Sequence, residues 1–210
     1  MTRRPSPRPG RPRRARGPEG GARAGVAALA RGVLLWLVPV TLVWLLATPL
    51  YNRVLGRTTE SLVRLTERPA STRLHFKGAH DLLVTRADYR AGQGFLHTIR
   101  VTDIQFNLIL VGALFLAVPG EPWRRRLAAL GWALAATVAF HLLLLFCWVK
   151  FVYATQLGEW SLAHYGAFGR NFWGLAKHTL DLPLKFALPF ALWAGFYLDR
   201  VLPERRPPGS

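Results

Sequence analysis

The chain has 210 residues and a formal charge of +17, a balance that in a soluble protein would suggest nucleic acid. Its hydrophobic residues, 51% of the total, are instead gathered into a few long blocks, which points to a membrane and disfavours a nucleic-acid partner. A single cysteine excludes an intramolecular disulfide.

Residues 1–25 are rich in Arg, Pro and Gly and lack aromatic side chains, so they cannot bury enough apolar surface to offset the entropy of ordering. They are expected to form a disordered basic cytoplasmic tail that sets topology, with anionic-lipid or nucleic-acid contact as the functional alternatives. Residues 26–50 give a first transmembrane helix around the block Gly32 to Leu50. It is too long for a signal-peptide core and has no small-x-small exit at Ala47, Thr48 and Pro49, so it is expected to stay as an anchor. Pro39 and Pro49 lack an amide donor and are expected to bend it.

Residues 51–103 read as an extracytoplasmic insert. Leu55, Leu62 and Leu65 keep one helical face beyond the span, after which "TRLHFK", "DLLVTR" and "FLHTIRVT" alternate as the strands of a three-stranded meander. Gly78-Ala79 suits a type II′ hairpin between the first two strands. His97 alternates with Phe95, Ile99 and Val101 as one packed face, and a sheet this small needs a helix or a membrane surface to lean on. Gly92 and Gly94 form no phosphate loop, because no Gly-Lys-Ser/Thr follows.

Residues 104–118 are a second span, short for a hydrocarbon core of about 30 Å but extendable by polar flanks or local thinning. A tight cytoplasmic loop, 119–126, carries Arg124 to Arg126, and a third span covers 127–149. The extracytoplasmic stretch 150–182 places Leu162, Tyr165, Phe168, Phe172 and Leu175 at helical spacing, as in a helix lying among headgroups. A fourth span, 183–202, leads to a short cytoplasmic tail, 203–210. The fold class expected is a mainly α membrane protein with four transmembrane helices and a small α+β extracytoplasmic insert between helices 1 and 2. Nine arginines precede Gly32, three fill the 119–126 loop, and Arg200, Arg205 and Arg206 follow the fourth span. The positive-inside rule then makes both termini of a multi-pass protein cytoplasmic; the location expected is a bacterial inner membrane. Nine basic residues in the insert oppose this only weakly, since five carboxylates accompany them.

The third span contains "FHLLLLFCWVK". His141 and Cys147 are six residues apart, about 9 Å along the helix and about 120° around it, so they form no nucleophile–base pair by themselves. A thiol-dependent membrane peptidase or transpeptidase would need Cys147 to meet His164, His178 and Arg170 from the same outer side. "FCWV" has no small, glycine-bearing approach to the sulfur, and an inert buried thiol is the simpler reading. His141, with Thr137 one turn earlier, is expected to make an interhelical hydrogen bond, with Asn107 of the second span as partner. Gly131, Ala135 and Ala139 form a small-xxx-small stripe suited to close helix packing.

Lys185 sits near the outer end of the fourth span, where its stem can reach headgroups, and no span carries a central carboxylate, which disfavours ion-coupled transport. A lipid or small-molecule transporter would need a water-lined cavity holding His141, Asn107 and Lys185. His164 and His178 are about 20 Å apart along a continuous helix, and His75, His80 and His97 lack a completing ligand set, so no metal and no cofactor is expected.

"TPLYNRVL" closing the first span, "FNLILVGALFLAVPG" followed by "RRRLAALGW", and a histidine in the third span resemble the exosortase H-associated family of small polytopic membrane proteins. The resemblance covers about residues 30 to 150. It implies an accessory role beside a membrane transpeptidase that sorts proteins with a C-terminal anchor. Exosortases themselves carry a Cys in an Ala-Cys-Ser/Asn-Gly type setting, and here Phe146 and Trp148 flank Cys147, so no catalytic role is carried over. The expected function is a non-enzymatic integral membrane accessory protein that binds lipid and a membrane-protein partner, an exosortase in the reading the resemblance favours, with the Cys147 thiol enzyme as the alternative.

Overall fold

Helix α1 (Pro18–Leu65) runs unbroken for 48 residues, about 72 Å, through both Pro39 and Pro49. The computed structural model describes residues 18–89 and 97–201, so most of the basic tail, the 203–210 tail, Gly92, Gly94 and Phe95 lie outside the described residues. Past the apolar block, α1 remains helical because Leu55 and Val63 turn one face into a core built with the insert.

That insert is an antiparallel sheet of β1 (Thr72–Lys77), β2 (Asp81–Arg86) and β3 (His97–Arg100) in the order β1-β2-β3, the meander expected from the alternation. Thr72 pairs with Arg86 and Lys77 with Asp81, while Leu82 pairs with Ile99. The first connection is therefore three residues, Gly78 to His80, rather than the two of a type II′ hairpin. Gly78 takes φ 70, which its missing Cβ permits. His80 is drawn off β2 by the third strand: its carbonyl accepts from Val101 N at 2.9 Å and its Nδ1 lies 3.0 Å from Thr102 Oγ1. Leu74, Leu82, Val84, Ile99 and Val101 put the inner face of the sheet against Leu55 and Val63 of α1 and against Leu145, Val149 and Tyr153 farther along the chain. Gly56 allows the close seat, since a Cβ there would fall 2.6 Å from the Phe76 ring.

A short helix, α2 (Thr102–Gln105), leads into α3 (Asn107–Leu116), which packs against α1 and against two helices that follow it and is buried over its second half. Helix α4 (Trp123–Thr155) follows Pro122 and runs 33 residues, starting four before and ending six beyond the expected span. Arg126 in its first turn donates to the carbonyls of Leu116 and Glu121, both at 2.9 Å, so one of the loop arginines closes the open end of α3. The aromatic stretch then forms α5 (Glu159–His164) and α6 (Ala167–Thr179). Helix α6 packs on α4 and passes through a π-helical turn, Leu180–Leu184, into α7 (Lys185–Val201). Leu162, Phe168, Phe172 and Leu175 of the expected stripe are exposed, and Tyr165 is half-buried against Trp160.

Gly25–Leu65 and Trp123–Thr155 are long and apolar enough to cross a membrane. Only 6% of the most apolar stretch of the first is buried, against 33% of the second. Thr102–Leu116 is apolar but shorter. Helices α1 and α3 touch where Gly32 meets Ala117, a Cβ on Gly32 falling 2.9 Å from the Ala117 carbonyl oxygen, and where Gly112 meets Val40. At this end Trp36 stacks on Trp123 and Phe115 meets Tyr197. The other end gathers Tyr51, Asn107, His141 and Lys185.

Candidate functional site

His141 is fully buried on α4, on the face that repeats through Ala129, Ala133 and Thr137. Its Nε2 lies 2.8 Å from Asn107 Oδ1 on α3, and its Nδ1 lies 2.7 Å from the Tyr51 hydroxyl on α1. Asn107 Nδ2 in turn donates to the Lys185 carbonyl at 3.2 Å. A neutral imidazole with its proton on Nε2 satisfies every link: Tyr51 donates to Nδ1, Nε2 donates to Asn107, and Asn107 donates to α7. One polar chain thus ties four helices together. Thr137 stays outside it, donating to the Ala133 carbonyl at 2.7 Å.

Lys185 departs from expectation. Rather than reaching for headgroups it is 6% exposed, donating to the Asp103 carbonyl at 3.0 Å and to Asp181 Oδ1 at 2.7 Å. Asp181, one turn earlier, supplies an anionic partner inside the bundle, and Lys177 binds its other oxygen at 3.1 Å. Lys177 also stands 3.9 Å from the centre of the Trp148 ring. His141 and Asn107 are occupied by one another, by Tyr51 and by backbone, as in a packed joint, while Lys185 faces a separate cavity of about 210 Å³ with Asp181 and Arg100, so the three do not line one shared path.

The small stripe departs too. Gly131, Ala135 and Ala139 are exposed, and among the described residues nothing outside its own helix turn lies within 4 Å of a Cβ placed on Gly131. They are two residues off the buried face of α4, about 200° around the helix, so they point away from the chain's own helices.

A second assembly, not anticipated from the sequence, locks the insert to α1 and α4. Glu67 Oε2 accepts from the amides of Ser71 and Thr72, while Oε1 accepts from Thr72 Oγ1 and from Arg86 Nη1 at 2.8 Å. Because the Thr72 hydroxyl donates to Glu67, it accepts from Tyr153 at 2.6 Å. The Arg86 guanidinium lies over the rings of Tyr153 and Trp160 and grips Asp88 with two hydrogen bonds of 2.6 and 2.8 Å. Burial disfavours the Arg86 charge, but Asp88 and Glu67 more than offset it and hold the group above its ordinary value. The hydrogen bond from Arg86, outweighing burial, holds Asp88 below the usual carboxylate range. His97, stacked on Trp148 at 6.2 Å, is pushed below its ordinary value by burial first and by the Lys177 charge second.

Both lowered values make acid destabilising. His97 must gain a proton unfavourably as pH falls below about 6.5, and the Asp88 contribution, complete above about pH 4, is lost as pH falls through its lower folded value. Urea unfolding at pH 7.5, 5.5 and 3.5 is expected to give falling midpoints, and His97→Gln is expected to flatten the first step. A midpoint that rises between pH 7.5 and 5.5 would contradict the His97 environment.

The thiol constellation is not assembled. Arg170 and His178 line one open cleft of about 780 Å³ between α4, α5 and α6, together with Asn171 and Ser161. Arg170 spends one nitrogen on the Tyr165 carbonyl at 2.6 Å. His164 is exposed, stacked on Trp160 at 4.0 Å and hydrogen-bonded to its backbone. Cys147 is 4% exposed, lies outside that cleft and makes no hydrogen bond among the described residues. Comparison with protein-family models, curated proteins and solved structures returned no match. Among the described residues no group of three or more His, Cys, Asp or Glu is arranged to hold a metal.

Proposed function

We propose that the chain is a four-span protein of the bacterial inner membrane, with both termini cytoplasmic, that serves as a non-enzymatic accessory to a membrane-protein partner of the exosortase type. The observation that carries the membrane reading is the bare apolar surface of α1: Leu34, Leu35, Val38 and Leu46 are each 65% exposed or more. Only hydrocarbon or another apolar protein covers such a surface stably.

Support for four crossings comes from the two ends of the bundle. Gly32, Ala117, Trp123 and Tyr197 meet near the Arg124 to Arg126 link, while Tyr51, Asn107, His141 and Lys185 meet at the far end, so consecutive helices alternate in direction. Helices α3 and α7 are short for about 30 Å, but α2 and the π-turn lengthen them, and α3 is shielded by its neighbours. An accessory is favoured over a thiol enzyme because Cys147 is sealed away from Arg170 and His178. The partner itself is taken from the sequence resemblance.

Two measurements test this. Reporter fusions at each terminus are expected to give cytoplasmic signals, and a periplasmic signal from either would overturn the topology. A photoreactive amino acid at Ala135, on the outward small-residue stripe, is expected to crosslink to an exosortase-type transpeptidase that also co-purifies in mild detergent. Recovery of the folded chain alone, with the crosslink absent, would remove the accessory role.

A further inference from the structure

Between α1, α3 and α4 lies a groove of about 370 Å³ walled by Trp36, Val40 and Ala47, by Leu108 and Gly112, and by Leu134. The volume falls in the range of about 300–1,000 Å³ typical of small-molecule sites. From Trp36 to Tyr51 its α1 wall runs 15 residues, about 22 Å, a length suited to a hydrocarbon chain rather than a compact ligand. It opens sideways onto the bare face of α1, where Val43 is 66% exposed.

Polar atoms of Trp44, Thr48, Tyr51 and Gln105 interrupt the apolar lining; Thr48 donates to the Trp44 carbonyl and Tyr51 to His141, which leaves the Trp44 and Gln105 side chains to account for. Gln105 is fully buried, and its Nε2 donates to Asn52 Oδ1 at 2.9 Å while Asn52 Nδ2 donates to the Ala79 carbonyl at 2.7 Å. This pairing fixes the amide orientation and leaves Gln105 Oε1 as an acceptor without a partner among the described residues. Trp44 Nε1, two turns deeper along α1, is a buried donor likewise unpartnered among the described residues. Buried polar groups left this way are unfavourable, and both line one groove.

We propose that the groove holds one acyl chain of a glycerophospholipid, whose ester carbonyl accepts from Trp44 Nε1 and whose headgroup donates to Gln105 Oε1. A bare hydrocarbon would leave both atoms unmatched. A partner's transmembrane helix has its own backbone groups satisfied and offers neither. A phospholipid with an ammonium or hydroxyl headgroup carries acceptor and donor at separate depths, and Gln105 stands beside Tyr51 and Asn52, where the apolar block of α1 ends. The inference rests on the membrane reading above.

The test uses the full chain in phosphatidylglycerol vesicles containing phosphatidylethanolamine or phosphatidylcholine with a diazirine in one acyl chain. Adducts are expected at Val40 and Leu108 as well as at the bare positions Leu35 and Leu46. Ala47→Phe, which fills the groove from an exposed small residue, should eliminate the first pair and leave the second. Phosphatidylcholine, whose ammonium has no hydrogen to donate, should label the groove less than phosphatidylethanolamine, and Gln105→Leu should erase that preference. Groove labelling indifferent to Ala47→Phe, or equal for both probes, would overturn the lipid site. Absence of labelling at Leu35 and Leu46 would instead overturn the membrane reading.

Discussion

Glu67→Ala is expected to cost about 3–5 kcal/mol of the insert's stability, the range for breaking a buried ion pair from one side. The substitution removes the acceptor for two backbone amides, a hydroxyl and a guanidinium at once. Arg86, 9% exposed at its side chain, would keep Asp88 but lose its more deeply buried counter-ion, which is 5% exposed against 38% for Asp88. Glu67→Gln keeps an acceptor oxygen for Thr72 and should cost roughly half as much. Hydrogen exchange locates the effect: amides from Ser71 to Arg86 should lose protection while those of α4 near Ala133, in the separate core around Phe115, retain it. Unchanged protection across β1 and β2 would show that the sheet is held by its apolar face alone.

The contrast between the two polar assemblies explains what was legible in the sequence. His141 and Asn107 stand out because a hydrogen-bonding side chain in a leucine-rich block must find a partner, and few are on offer at that depth. Tyr51 was hidden in "TPLYNR", where an aromatic residue at the edge of an apolar block looks like an interface anchor. Glu67 was one of five carboxylates in the insert, and its partners lie up to 86 positions away through Tyr153, so no local spacing marks it. The strands were legible through alternation, whereas the third loop residue was not, because His80 is claimed by a strand that arrives later in the chain. Small residues misled for a related reason. Spacing marked Gly131, Ala135 and Ala139 as a seam, yet which face of a helix is covered depends on its neighbours, and the close approaches fall at Gly32 and Gly112. Lys185 reads as a residue reaching outward because, although Asp181 stands at the i,i+4 spacing of helical neighbours, the sequence does not show that both side chains turn inward.

His141→Leu is the sharper probe of the four-helix joint. It fits apolar volume into the same place but leaves the Tyr51 hydroxyl and Asn107 Oδ1 without their partner. Each unmade bond to a buried group costs about 1–3 kcal/mol in water-based measurements, whereas interhelical hydrogen bonds inside membranes average about 0.6 kcal/mol because the separated helices find other partners. Two links are lost at a fully buried site, so a net loss of about 1–3 kcal/mol is expected in denaturant titrations of the detergent-solubilised chain. The sign of the coupling decides the mechanism. Tyr51→Phe alone should destabilise by about 1 kcal/mol, but in the His141→Leu background it should be neutral or stabilising, since it then removes an orphaned hydroxyl. Strictly additive losses would mean that Tyr51 and His141 are neighbours without a working hydrogen bond, and the joint would reduce to apolar packing around Asn107.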